Sequence, residues 1–311
     1  MLRALTPDAR SISIQDVAPL TGGQSTDTYH VRGTWELAGG EEPLDAVVRR
    51  VRPDGLLAPY DVERERRILV ALQASPVPVP AVYGCDPAGE YLGDPCLVTA
   101  YVQGQPLSFF GLTTSADDAR LPSYHSTLAM IHSLDWAALG LEFLDESEDA
   151  LDGEIGRSQA RLELHGGNGS FERDLLAWLR ARKPPNTSKA MLHGDPNLAN
   201  YLFLDKDVVA VIDWELALIG DPRIDLGFFA AVQTTLGEVW ELDTKWFYRG
   251  YASANPALDL EYMDYFEAMG LYRTAAFLHA ARRLRGADML EQWQRLRRRA
   301  EEIMGTKETP Q

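Results

Sequence analysis

Leu192-His193-Gly194-Asp195-Pro196-Asn197-Leu198-Ala199-Asn200 runs into Tyr201-Leu202-Phe203-Leu204, then Asp205-Lys206-Asp207, then Val208-Val209-Ala210-Val211-Ile212-Asp213. Two apolar runs around a polar turn predict a β-hairpin centred near Lys206. Antiparallel pairing sets Asn200 and Asp213 opposite each other at its open end. An amide oxygen and a carboxylate meeting there make a magnesium site, because Mg²⁺ takes oxygen ligands and shares its shell with phosphates and water. Asp195 precedes Asn200 on the loop entering the hairpin. A carboxylate that faces the same space without binding metal can serve as a general base. Singly, such residues also suit the turns and caps of an ordinary hairpin.

Outward from this stretch the chain changes character. Before it, Ser11–Val17, Thr28–Val31 and Ala46–Val51 read as strands separated by Thr21-Gly22-Gly23 and Gly39-Gly40 turns. Asp61–Ala74 reads as a helix between Pro59 and Pro76. Cys96–Val102 reads as a buried strand, and Gly104 and Pro106 mark a boundary after it. Beyond the boundary the pattern is helical over Pro122–Leu134, Gly153–Leu164, Phe171–Ala181 and most of the chain from Asp225 onward. The expectation is an α+β chain: a β-rich N-terminal lobe over 1–103 and a larger helical lobe over 104–311 that carries the hairpin.

The 311 residues carry a net charge of −16, from 30 basic and 46 acidic side chains. Such a surface repels a phosphate backbone, so no nucleic-acid partner is expected. No apolar run reaches the roughly 18 residues of a membrane span, and the first residues lack the apolar core of a signal peptide. Cys85 and Cys96, the two cysteines, form no CxxC pair. A cytoplasmic protein without a disulfide framework is expected.

The Asp-x4-Asn spacing followed by a strand-end Asp matches the kinase arrangement of base and metal ligands. The chain resembles the aminoglycoside phosphotransferase family, which also holds choline kinases and other small-molecule kinases of protein-kinase-like fold. The family's HGDxxxxN loop is met by His193, Gly194, Asp195 and Asn200. Its I-D-W-E strand end is met by Ile212, Asp213, Trp214 and Glu215, and its G-D-P…D turn by Gly220, Asp221, Pro222 and Asp225. The resemblance implies that Asp195 is the catalytic base, that Asn200 and Asp213 hold Mg²⁺, and that ATP or GTP is the donor. Too few residues separate Asp213 from Asp225 for the activation segment of a protein kinase. A metal-dependent hydrolase built on His193, Asp195 and Asp213 is disfavoured, because Zn and Fe sites usually take more histidines than this region offers.

A kinase also needs a basic residue on the phosphates and an acid to hold it. Val62, Glu65, Leu69 and Leu72 share one helix face, so Glu65 stands in an apolar stripe while Glu63 points away. Strand alternation leaves both Arg49 and Arg50 open as its partner. The resemblance selects Arg49, where the family usually has Lys. The loop around Gly23 and Ser25 is similar to the family's G-G-x-S phosphate loop, and the Ala100 and Val102 backbone would meet the adenine. Two acidic regions, Leu141–Gly156 and the aromatic-rich Trp240–Glu267, suit a cationic amine or aminoglycoside-like acceptor, although helix packing with solvated acids is the preferred reading of the second. His132 reads as structural. The departure at Arg49 admits a second reading, a catalytically silent nucleotide-binding module of the same fold.

Overall fold

Long strands and a capped helix organise the first part of the chain. The computed structural model describes residues 9–20, 26–52, 55, 60–107, 118–185, 187–236 and 245–305. These fall into two compact units, 1–104 with 209–215, and 105–208 with 216–311. The segment 209–215 joins the first unit although it lies far along the chain.

In the first unit, β1 (Ser11–Leu20), β2 (Thr26–Leu37), β3 (Gly40–Val51), β4 (Val82–Asp86) and β5 (Cys96–Ala100) form one antiparallel sheet in the order β1-β2-β3-β5-β4. β1, β2 and β3 run longer than the sequence suggested, whereas β5 stops at Ala100, two residues short of the expected Val102. Val, Ile and Thr recur along these strands, and such residues fit a pleated, half-buried surface. Val31, Leu44, Ala46, Val48 and Val98 make the core on one face. Alternation then turns Arg49 to the other face. The register pairs Arg49 with Thr28 on one side and Leu97 on the other.

The helix α1 (Val62–Leu72) follows. Asp61 caps it, accepting the Glu63 and Arg64 backbone N–H groups at 3.0 Å each. Its buried stripe is Val62, Glu65, Ile68, Leu69 and Leu72, as the spacing predicts.

The second unit is mostly helical: α2 (Leu121–His132), α3 (Ala150–Leu164), α4 (Ser170–Ala181), α5 (Pro222–Leu236), α6 (Lys245–Ala254), α7 (Met263–Arg285) and α8 (Leu290–Met304). Leucines and aromatics of α3, α4, α5, α7 and α8 bury one large core. α5 and α7 cross so closely that a Cβ on Gly227 would lie 2.2 Å from the Phe266 carbonyl oxygen. Short strands punctuate the helices: β6 (Gln105–Pro106) pairs with β8 (Tyr201–Leu204), and β7 (Ala190–Leu192) pairs with β10 (Leu218–Gly220). The hairpin forms as expected, with β8 and β9 (Asp207–Val211) as hydrogen-bonded neighbours. Its turn is two residues, Asp205-Lys206, rather than three; Asp205 takes a positive φ of 55°, which aspartate tolerates. Among the described residues no helix is long and apolar enough to cross a membrane.

Candidate active site

In the second unit the geometry centres on Asp195. β7 ends at Leu192, and the chain turns sharply at Gly194 with φ +83°. A Cβ there would meet the Leu216 carbonyl oxygen at 2.0 Å, so glycine alone permits this close approach. Asp225, at 0% exposure near the start of α5, accepts the backbone N–H groups of His193 at 2.9 Å and Gly194 at 3.0 Å. His132 closes the same buried group, lying 3.2 Å from Asp225 and 2.7 Å from the Tyr251 hydroxyl. This bears out the structural reading of His132.

Beyond Gly194 every turn of the loop is tied. The Asp195 N–H donates to His193 Nδ1 at 3.2 Å, and the Asp195 carbonyl accepts from Asn200 Nδ2 at 2.8 Å. The Tyr124 hydroxyl donates to the Pro196 carbonyl at 2.5 Å. Burial, first of all, holds the Tyr124 and Tyr201 phenols well above their ordinary range, so both stay neutral beneath the loop.

In the first unit the geometry centres on Arg49. Its Nη1 donates to Glu65 Oε1 and its Nη2 to Asp213 Oδ1, each at 2.5 Å. Glu65 is 1% exposed, whereas the Asp213 side chain is 34% exposed. Glu65 also accepts the Trp214 backbone N–H at 3.2 Å and the Tyr60 hydroxyl. Burial raises the Glu65 carboxyl above its ordinary value, Arg49 opposes that, and the Asp213 charge adds to it. Burial works against the Arg49 cation, but the surrounding carboxylates of Glu65, Asp213 and Glu215 outweigh it and keep Arg49 charged. Asp213 itself takes φ 68°, a left-handed backbone uncommon outside glycine. Arg50, the alternative cation, pairs with Asp27 at 2.7 Å on the other face.

Asn200 and Asp213 offer oxygen donors of the hard kind that Mg²⁺ prefers. Among the described residues no group of three or more His, Cys, Asp or Glu side chains is placed to hold a metal.

The structure thus brings Arg49, Glu65 and Asp213 together in one unit, and Asp195 and Asn200 in the other. The Ala100 N–H is engaged by the Ala81 carbonyl at 2.8 Å, so only its carbonyl side could meet a ligand. Val102 lies two residues past the end of β5. Gly23 and Ser25 lie outside the described residues, as do Trp240, Glu241 and Asp243. Of the described aromatics in that region, Phe247 stacks on Phe229 at 3.9 Å and Tyr251 and Tyr265 are buried, Trp246 and Tyr248 are half-buried, and Tyr262 is exposed. Much of the acidic run is neutralised in place, Asp145 by Lys189 and Asp149 and Asp152 by Lys183, at 2.6 to 2.7 Å. Sequence reasoning assigned no role to Asp225, Asn197 or Tyr124. A buried aspartate at the start of a helix was the available signal for the first.

Comparison with known proteins bears on the family and the fold. The profile of the phosphotransferase enzyme family matches residues 16–278. A mouse protein, acyl-CoA dehydrogenase family member 10, is 32% identical over 215 residues, covering 66% of this chain and 19% of its own length. This chain therefore spans about a fifth of that curated relative. A Ralstonia eutropha JMP134 protein assigned by inference to the aminoglycoside phosphotransferases superposes with a TM-score of 0.74 at 21% identity, over 98% of this chain and 96% of its own. A choline kinase of Streptococcus pneumoniae does so at 0.62 and 14% identity, over 95% of each chain. A thermostable aminoglycoside phosphotransferase solved with AMP-PNP and hygromycin B gives 0.64 at 16% identity, over 94% of this chain and 95% of its own. The fold is that of these protein-kinase-like enzymes.

Proposed function

Because the chain belongs to the phosphotransferase enzyme family, we propose that it moves the γ-phosphoryl group of ATP or GTP, with Mg²⁺, onto a hydroxyl of a small molecule. The observation that carries this reading is the fixed Asp195 loop, whose N–H and C=O are both held by neighbours. A carboxylate so placed accepts the proton of the attacking hydroxyl as its oxygen bonds to the γ-phosphorus and the bond to the β-phosphate oxygen breaks. Such a base typically contributes about 10²–10⁴ in rate.

Asn200 and Asp213 would hold Mg²⁺, which when bound supplies positive charge to the phosphate oxygens. Arg49 keeps Glu65 with Nη1 and turns Nη2 from Asp213 to the phosphates, which frees the Asp213 carboxylate for the metal. The guanidinium fork suits this exchange, because it holds two anions at once where an ammonium acts as a point charge. The Gly23 and Ser25 loop would contact phosphate, and the Ala100 and Val102 backbone the base.

The second reading, a silent nucleotide-binding module, draws on the same contact: an Arg49 that never released Asp213 would block the metal. For the acceptor we favour a cationic amine or aminoglycoside-like alcohol. The curated relative's name adds a hydroxyacyl-CoA thioester to the candidates worth testing.

A nucleotide-consumption assay over choline, ethanolamine, an aminoglycoside, a macrolide and a hydroxyacyl-CoA tests the proposal, beside thermal shifts with Mg·ATP and Mg·GTP. The expected result is consumption above the rate with water for at least one acceptor. Stabilisation by nucleotide with no consumption on any of them would favour the silent module.

A further inference from the structure

Among the buried polar groups that the proposed chemistry leaves unused is Asn197. It is 1% exposed and sits two residues after Asp195, at the N-cap position of the short turn Leu198–Asn200. An asparagine at such a position ordinarily folds its side-chain oxygen back onto the following N–H groups. Asn197 makes no such bond. Its Nδ2 instead donates to Asp195 Oδ1, and its own Oδ1 is buried without a hydrogen-bond partner among the described residues. The side chain therefore forgoes a cap and strands a buried acceptor, both unfavourable. Neither cost serves packing. Both follow once the amide is committed to the Asp195 carboxylate.

The geometry points to Asn197 as a positioning residue for the proposed base, an inference that rests on the reading of Asp195 given above. The loop fixes the Asp195 backbone, and the rotation of the carboxylate depends in addition on what its oxygens accept. The Asn197 amide fixes that rotation by holding one oxygen. A neutral donor does so without placing a full positive charge beside the base, which would weaken it as a proton acceptor. The cost in local stability is the kind that functional sites carry for pre-organisation.

The test uses Asn197→Ala and Asn197→Asp beside Asp195→Ala in the full chain. Turnover of Mg·ATP is followed with the best acceptor of the panel, or with water where no acceptor exceeds it. Asn197→Ala is expected to lower kcat by about 10-fold to 10²-fold. The Mg·AMP-PNP Kd and the melting temperature should stay level or improve, since the stranded oxygen is gone. Asn197→Asp sets a like charge against Asp195 and is expected to lower kcat at least as far. An unchanged kcat in Asn197→Ala, or a kcat that falls together with the melting temperature, overturns the inference. Full turnover in Asp195→Ala, or none in the unmodified protein, overturns the base assignment itself and is read separately.

Discussion

Arg49→Met removes the one guanidinium that stands between Glu65 and Asp213. Opposite charges about 4 Å apart are worth about 4 kcal/mol at an effective dielectric near 20. Asp213 is a third exposed and its share is screened by solvent, so most of the loss falls on Glu65. Breaking a buried pair from one side costs about 3–5 kcal/mol. Glu65 keeps the Trp214 N–H and the Tyr60 hydroxyl, which places the loss near the lower end, about 3 kcal/mol. Against a typical total of about 5–15 kcal/mol the variant should fold and melt early.

The pH dependence sharpens this prediction. Glu65 has a raised folded pKa, mainly from burial, and loses the opposing Arg49 charge in the variant, so it rises further. Between the unfolded carboxylate value, about 4.3, and that raised value, the native state holds a proton the unfolded chain has released. Stability therefore falls as pH rises through the window. Urea melts should show the deficit of Arg49→Met smallest in mild acid and widest near neutrality. Glu65→Gln added to Arg49→Met should flatten it. A deficit below about 1 kcal/mol at neutral pH, or one equal at both pH values, would refute the reasoning.

Three more outcomes follow from the second unit. Gly194→Ala puts a Cβ 2.0 Å from the Leu216 carbonyl oxygen at φ +83°; strain and overpacking together should cost about 2–5 kcal/mol in denaturant melts. Asp225→Asn points an N–H₂ at donors where a carboxylate accepted His193 and Gly194, which should cost about 1–3 kcal/mol and lower turnover. Burial depresses the His125 imidazole to about 4, so it stays neutral in the fold. The unfolded chain protonates first, near 6.5, and stability is lost as pH falls from there toward 4 by up to about 1.4 kcal/mol per unit. His125→Leu should remove that slope from a stability–pH profile.

The strand and helix pattern was legible because it is periodic. Alternation in Ala46–Val51 and the three-and-four spacing of Val62, Glu65, Leu69 and Leu72 bring Arg49 to Glu65, and the structure joins them at 2.5 Å. Local pattern could not choose Arg49 over Arg50, since both alternations are acceptable until a core forms on one face. The contact of Arg49 with Asp213 depends on a strand end far along the chain and a left-handed aspartate, neither of which periodicity encodes. Asn197 was passed over for the opposite reason. In sequence an asparagine before a short turn reads as a cap, and only side-chain direction reveals its bond to Asp195. The aromatics of α6 and α7 were ambiguous between ligand and core until neighbours such as Phe229 and Trp178 were placed against them.

The division of labour between the two aspartates is tested most directly by calorimetric titration of Mg·AMP-PNP into Asp195→Ala and Asp213→Ala. The account predicts that Asp195→Ala binds as the unmodified protein does, and that Asp213→Ala binds at least about tenfold more weakly, a change of about 1.4 kcal/mol. Equal affinity in both variants, or a loss confined to Asp195→Ala, would contradict it.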